Sequence, residues 1–244
     1  MKDQKKIRLS KLMSEKGLCS RREADRYIQD GQVLVNKEIV DVLGTKISLD
    51  ADIRLTDRAS FQQKKKVTIL LNKPIGYVST QPEKCYIPAI DLICKKTQYQ
   101  TGSKPFQKHY LKNLHVAGRL DIDSKGLLIL TQDGCIVKKI IGPTSKMEKE
   151  YIVGIEGEIT NFVLEKLKFG LSLDNKKLKR AVVKLIKPNL LRFVLMEGKK
   201  RQIRRMCELV NLKVIKIKRV RVGNVLLGNL PEGKWRFLKS HEKF

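Results

Sequence analysis

Apolar residues in this chain come in short runs closed by turn-forming residues, and that spacing constrains the fold more than any other feature. Runs such as Ile69-Leu70-Leu71 and Gly126 to Leu130 fall far below the roughly 18 apolar residues of a membrane span, so no membrane role is expected. They have the length of strands. Strands are predicted over 67–71, 126–131 and 151–155, with a hairpin of 182–186 and 190–195 about Pro188-Asn189. Asn72-Lys73-Pro74-Ile75-Gly76-Tyr77 is a turn that Pro and Gly enforce. Ile215 and Ile217 alternate with Lys216 and Lys218, then Val220 and Val222 continue in the opposite parity, which predicts a bulge or bend between them. One helix is expected over 201–210, with Ile203, Met206, Cys207 and Val210 on one face and Arg201, Arg204, Arg205 and Glu208 on the other. Many strands and few helices imply an α+β fold on a mostly antiparallel mixed sheet, not a doubly wound one.

The first 55 residues read as a separate small unit. Ile7, Leu9, Leu12 and Met13 fit a short amphipathic helix ending near Gly17. Ser20-Arg21-Arg22-Glu23 is a capping box opening a second helix that ends at Asp30-Gly31. Val33-Leu34-Val35, the turn Asn36-Lys37 and Glu38 to Val40 form a hairpin, and 47–55 supplies a further strand. The polar stretch 56–66, with Lys64-Lys65-Lys66, reads as a linker to a second domain over 67–244.

Charge narrows the partner. The 244 residues carry a formal net charge of +27. Residues 1–55 hold 12 Lys+Arg and 9 Asp+Glu; the remainder holds 40 and 16. The stretch 176–222 has 17 basic and 2 acidic residues. With 41% hydrophobic residues the chain can build a core, so a disordered polycation is excluded. A polyanion, with nucleic acid the commonest, is the expected partner. Met1-Lys2-Asp3-Gln4-Lys5-Lys6 leads into no apolar segment, so no secretory signal is expected. The five scattered cysteines form no C-x-x-C and the three histidines stand apart from any cysteine pair, which argues for reduced thiols in the cytoplasm and against a zinc site.

The stretch richest in chemistry is Gly118-Arg119-Leu120-Asp121-Ile122-Asp123-Ser124-Lys125-Gly126, followed by the apolar run and Asp133-Gly134. Taken alone, its Asp-x-Asp has three readings: a turn-capping carboxylate, a magnesium site, or one catalytic aspartate without metal.

Whole segments carry a resemblance. RLSKLMSEKGLCSRREADRYIQDGQVLVNKEIV is similar to an S4 domain, a small RNA-binding module. That likeness implies phosphate contacts by Arg8, Lys11, Arg21, Arg22 and Lys37, which position RNA and carry little sequence information. GRLDIDSKGLLILTQDG, the Lys149-x-Tyr151 of EKEYIV, EGKKRQIRRMCE, LNKPIGYVST and RVRVGNVLLGNLPEGKW resemble motifs of the RsuA/RluF-type pseudouridine synthases of bacterial ribosomal RNA. The segment 202–208 is most similar to the RluF branch, which acts on large-subunit RNA.

The resemblance implies isomerisation of uridine to pseudouridine on a flipped-out base. Nothing is oxidised and no phosphate is cleaved, so no cofactor and no metal are expected. Asp121 falls on the family's catalytic aspartate, acting as nucleophile or base. Arg204 falls on the arginine that pairs with that aspartate, and Tyr151 on the aromatic that stacks on uracil. Lys149, Arg201, Gln202 and Arg205 belong to the same motifs and are expected to support the pocket or meet RNA. Arg119 and Lys73 are candidates for holding RNA beside the target. The expected partner is ribosomal RNA of the large subunit, as free RNA, in an assembly intermediate or in a finished particle, bound by a monomer. The competing reading is a non-catalytic ribosome-associated binding or assembly factor. The stretch between Thr80 and Gly118 is long for the family, and within it 94–113 reads as an insertion near the active loop.

Overall fold

In the computed structural model, residues 6–80, 85–99 and 104–244 are described. The N-terminal unit opens with β1 (Ile7–Arg8), α1 (Leu9–Glu15) and α2 (Arg21–Gln29). The capping box forms: Ser20 Oγ accepts from Glu23 N, and Glu23 accepts from Ser20 N at 2.9 Å. β2 (Val33–Val35) turns through Asn36 (φ 51) and Lys37 (φ 75) into β3 (Glu38–Ile39). Both turn residues are left-handed, as the tightest hairpin turn requires. The strand expected over 47–55 is split. β4 (Lys46–Ile47) pairs with β1, and β5 (Ile53–Leu55) with β2. Leu9, Leu12, Met13, Cys19, Tyr27, Ile28 and Val33 close a core of their own.

The stretch read as a linker contains a helix, α3 (Asp57–Lys64). Thr56 caps it by accepting from Ala59 N, and Gln63 Nε2 donates to Tyr27 Oη at 3.2 Å. Its polar composition hid it: Ala59 is the one residue it buries. An ion pair from Lys66 to Glu23 ties the following chain back to α2.

The strands that follow are β6 (Thr68–Lys73), the parallel pair β7 (Tyr77–Val78) and β8 (Ile87–Pro88), β9 (His115–Val116), β10 (Lys125–Thr131) and β11 (Lys149–Glu156). Next come the small hairpin β12 (Ser172–Leu173) and β13 (Lys176–Lys177), then β14 (Val182–Lys187), β15 (Leu190–Leu195), β16 (Lys213–Val222), β17 (Val225–Leu226) and β18 (Trp235–Phe237). The main sheet runs β14-β15-β11-β16-β10-β6-β18, with β9 beside β10 and β17 beside β16. Among the described residues only β10 and β16 pair in parallel within it, so the mostly antiparallel mixed sheet expected from the sequence is the fold observed. The predicted bulge lies at Val220. Glu150 pairs with Arg221 and Tyr151 with Arg219, which leaves Val220 unmatched.

Both faces of the sheet centre are covered, which is why its strands read as unbroken apolar runs. Ile69, Leu71, Leu128 and Leu130 enter a core shared with α5 (Asn161–Lys168) and α6 (Gln202–Glu208). Leu70, Leu127 and Ile129 face α4 (Gly134–Ile141) on the other side. Cutting Leu128 to Ala would cost about 2–5 kcal/mol. The N-terminal unit is seated on α4, where Lys138 Nζ donates to Ser14 O at 3.1 Å. Gly134 permits the approach: a β-carbon there would stand 2.7 Å from Ser20 Oγ. Among the described residues no helix is long and apolar enough to cross a membrane.

The long segment before the Asp121 loop is packed on the sheet edge. Short 3₁₀ turns at Ala89–Leu92, Lys95–Thr97 and Lys108–Leu111 cover β18. Trp235 Nε1 donates to Cys94 O at 2.9 Å, and the Trp235 and Phe106 rings meet edge to face. None of the described residues between 85 and 113 lines the cleft identified below, so this part is an edge cover instead of an active-loop insertion. Residues 100–103, part of the expected insertion, lie outside the described residues.

Candidate active site

Asp121 sits in a loop fixed from three sides. Ser79 Oγ donates to Leu120 O at 2.6 Å and accepts from Leu120 N at 2.9 Å. Gly76 N donates to Ile122 O at 2.9 Å, which uses the Pro-Gly turn as a second brace. Arg219, only 1% exposed, supplies the third. It donates from Nε to Leu127 O at 2.7 Å and from Nη2 to Gly118 O at 2.8 Å, with Arg119 O at 3.4 Å from Nη1. One guanidinium thus replaces the strand partners that these carbonyls lack. Gly126 is required where the loop enters β10. It has φ +107, and a β-carbon there would stand 2.7 Å from Arg219 N.

The loop forms one wall of a cleft of about 570 Å³. Asp121 and Arg119 face Tyr151 and Lys149 from β11, Arg219 from β16, and residues 197–203 leading into α6. Asp121 makes no ion pair among the described residues. Tyr151 is opposite Arg219 in the β11–β16 register and is 8% exposed. Lys149 lies two residues before it on the same strand, and its Nζ donates to Met147 O at 3.2 Å. Burial, and then the like charges of Arg219 and Lys179, push its pKa down to about 8. A carboxylate therefore opens into a cleft whose rim is cationic, a setting suited to holding a polyanion against a reacting acid.

The remaining candidates divide. Arg204 is buried, not on an outer helix face. Its guanidinium meets Asp123, at 3.2 Å to Oδ2 and 3.0 Å to the carbonyl, and does not pair with Asp121 as the family motif implied. Arg201, in a left-handed conformation (φ 52) at the start of α6, meets the same carboxylate at 3.0 Å. Burial raises the Asp123 pKa, but the Arg201 hydrogen bond and the Arg204 charge outweigh it and hold it low. With two guanidiniums on Asp123, the Asp-x-Asp pair does not converge on a shared cation. Among the described residues no three His, Cys, Asp or Glu side chains cluster as metal ligands do.

Lys73 is not available to RNA. It is fully buried and donates to Pro74 O and Tyr77 O, both at 2.8 Å, closing its own turn. Burial lowers its pKa to about 8, opposed by Asp123 and Asp121. Gln202 is buried and bridges Lys199 N and Glu197. Arg205 forks onto Asp174 at 3.0 and 2.6 Å. Gln202 lines the cleft; Arg205 does not. Arg8, Lys11, Arg21, Arg22 and Lys37 are all exposed on the N-terminal unit, and Lys11 reaches Glu15 at 3.8 Å. Sequence reasoning passed over Arg219, Ser79 and Lys179. The signal for Arg219 was its parity: it stands two residues after buried Ile217 and just before the bulge at Val220, so its side chain points inward.

A mixed sheet with the Asp121 carboxylate in a largely basic cleft, joined to a small unit of helices and short strands with exposed cations, fits an RNA-modifying enzyme. The RNA pseudouridylate synthase family model matches residues 67–209 and the S4 domain model residues 7–53. The chain belongs to the RNA pseudouridylate synthase family, whose members isomerise uridine in RNA. The dual-specificity RNA pseudouridine synthase RluF of Salmonella typhi is 35% identical over 96% of this chain and 76% of its own. The ribosomal large subunit pseudouridine synthase B of Bacillus subtilis is 31% identical over 96% of this chain and 93% of its own. A crystal structure of pseudouridylate synthase superposes with a TM-score of 0.64 at 26% identity, covering 96% of both chains.

Proposed function

We propose that this enzyme modifies a uridine of large-subunit ribosomal RNA and that Asp121 is the catalytic residue. The observation that carries the reading is the Asp121 carboxylate, without an ion pair among the described residues, on a loop braced by Ser79, Gly76 and Arg219 in the wall of a cationic cleft. The N1–C1′ bond of the target breaks, the uracil turns, C5 bonds to C1′, C5 loses its proton and N1 gains one. Asp121 attacks the ribose or base, or removes a ribose proton. Tyr151 stacks on the uracil. Arg204 contributes by holding Asp123, and with it the loop two residues past Asp121. A paired uridine exposes neither N1 nor C5 to a side chain, so the nucleotide is flipped into the cleft. Arg119, Lys149 and Arg201 meet its phosphates, and the exposed cations of the N-terminal unit fix where the RNA docks. Ribosomal RNA as substrate supports the cytoplasm, and the reading takes the enzyme to act as a monomer. The large-subunit assignment rests on the resemblance of 202–208.

Mapping pseudouridine in both ribosomal RNAs from cells with and without the protein tests the reading. Loss of a large-subunit position, restored by the wild type and not by Asp121→Asn, is expected. A lost small-subunit position would overturn the subunit assignment, and an unchanged map the reaction.

A further inference from the structure

The hairpin beyond the cleft carries exposed aromatic surface that the reaction does not use. Phe169, just past α5, is 43% exposed. Lys177 Nζ and Arg180 Cζ each stand 4.5 Å from its ring centroid. The chain holds them together by backbone pairing: Ala181 N donates to Lys168 O at 2.9 Å, and Leu178 N to Leu171 O at 3.0 Å. Lys179, the residue before Arg180, lines the catalytic cleft. The ring and the cleft therefore share one short stretch of backbone.

Charge says what would cover this ring. Residues 176–187 contain six Lys or Arg and no Asp or Glu. Among the described residues none of the six makes an ion pair, and the nearby Asp174 and Glu165 are taken by Arg205 and Lys168. A protein partner would need an acidic surface with an apolar centre. A nucleic-acid strand already in the adjacent cleft needs only to continue along it. Flat rings flanked by cations are how proteins hold unpaired bases without reading sequence. Arginine stacks and stays; lysine, more strongly hydrated and on a longer flexible stem, is the one a base displaces.

We propose that Phe169, Lys177 and Arg180 form a second RNA subsite outside the catalytic cleft, in which an unpaired base flanking the target stacks on the Phe169 ring while the two cations meet the adjoining phosphates. The subsite rests on the RNA-modifying reading of the cleft and sets which substrates suit it: RNA with an unpaired nucleotide beside the target, not a continuous duplex.

The test uses the full chain and short single-stranded RNAs carrying 2-aminopurine at successive positions. In the wild type, one position is quenched on binding. Phe169→Ala and Phe169→Leu, folded by circular dichroism, lose that quench and bind on the order of tenfold more weakly. Phe169→Trp keeps both. With an abasic residue at the quenched position, wild type and Phe169→Ala bind alike. Unchanged affinity and quench in both Phe169→Ala and Phe169→Leu would overturn the subsite while leaving the catalytic reading intact. A wild type that binds none of these RNAs would overturn both.

Discussion

Arg8, Arg21, Arg22 and Lys37 stand exposed on the N-terminal unit, and among the described residues none makes an ion pair. The basic stretch 176–222 is built differently. All seven of its arginines have a partner inside the protein: Arg192 and Arg221 on Glu150, Arg201 and Arg204 on Asp123, Arg205 on Asp174, Arg219 on loop carbonyls, and Arg180 on Phe169. Of its ten lysines, only Lys213 forms an ion pair among the described residues. Arginine there is architectural, because its fork satisfies two acceptors at once. Most of the excess charge left for RNA is lysine, largely exposed, beside Arg180 and Arg201. The smaller unit, nearly balanced in charge, presents a few cations in fixed places. On the proposed reading the difference separates position from hold, with docking assigned to the first unit and retention to the second.

Four expectations break or sharpen that separation. Beyond the carboxylate itself, the largest effect falls at an internal arginine. Arg219→Met leaves the carbonyls of Gly118 and Leu127 without their donor and lets the Asp121 loop shift, so kcat should drop about 100-fold, as small misplacements do. Single-turnover rates would check it, with RNA affinity changed little. Next, replacing Arg8, Arg21, Arg22 and Lys37 by Gln together should raise KM on long ribosomal RNA by roughly tenfold or more, with little change on a short stem-loop. If both substrates suffer alike, the positioning role is wrong.

A smaller effect is expected from Lys184, Lys187, Lys216 and Lys218. Changing all four to Gln should flatten the dependence of log affinity on log salt by about 0.7 for each phosphate no longer neutralised. The modified position should stay the same. The smallest effect concerns pH. Lys149 loses its charge near pH 8, where an ordinary lysine keeps it. RNA affinity should therefore fall a few-fold between pH 7 and 9, and less in Lys149→Met. Stability moves the other way. Between about 8 and the ordinary 10.5 the unfolded chain binds more protons than the folded one, so this group favours folding increasingly as pH rises through that window. Opposite trends in binding and melting would separate a lysine acting on RNA from one that only destabilises the fold.

Much of this was legible in the sequence because local rules agree with the fold. The Ser20 capping box, the Asn36-Lys37 turn and the parity change at Val220 each depend on neighbours in the chain, and each formed. Hydropathy misleads where a long cation is buried. Lys73 is expected from the sequence to reach RNA and Arg219 is passed over, yet both lie inside, where loop carbonyls accept their hydrogen bonds. Helix α3 was hidden since one alanine is all it buries. The Arg204 motif located the residue but not its partner, since spacing does not say which of two carboxylates two residues apart faces the guanidinium.

The central claim is that Asp121 reacts and the cations hold. The most direct measurement is pseudouridine formation by Asp121→Asn on ribosomal RNA, with the affinity of the same preparation for that RNA measured beside it. No pseudouridine above background, with affinity within about twofold of wild type, is predicted. Product at the wild-type rate would contradict the account, and so would a loss of activity that is wholly a loss of binding.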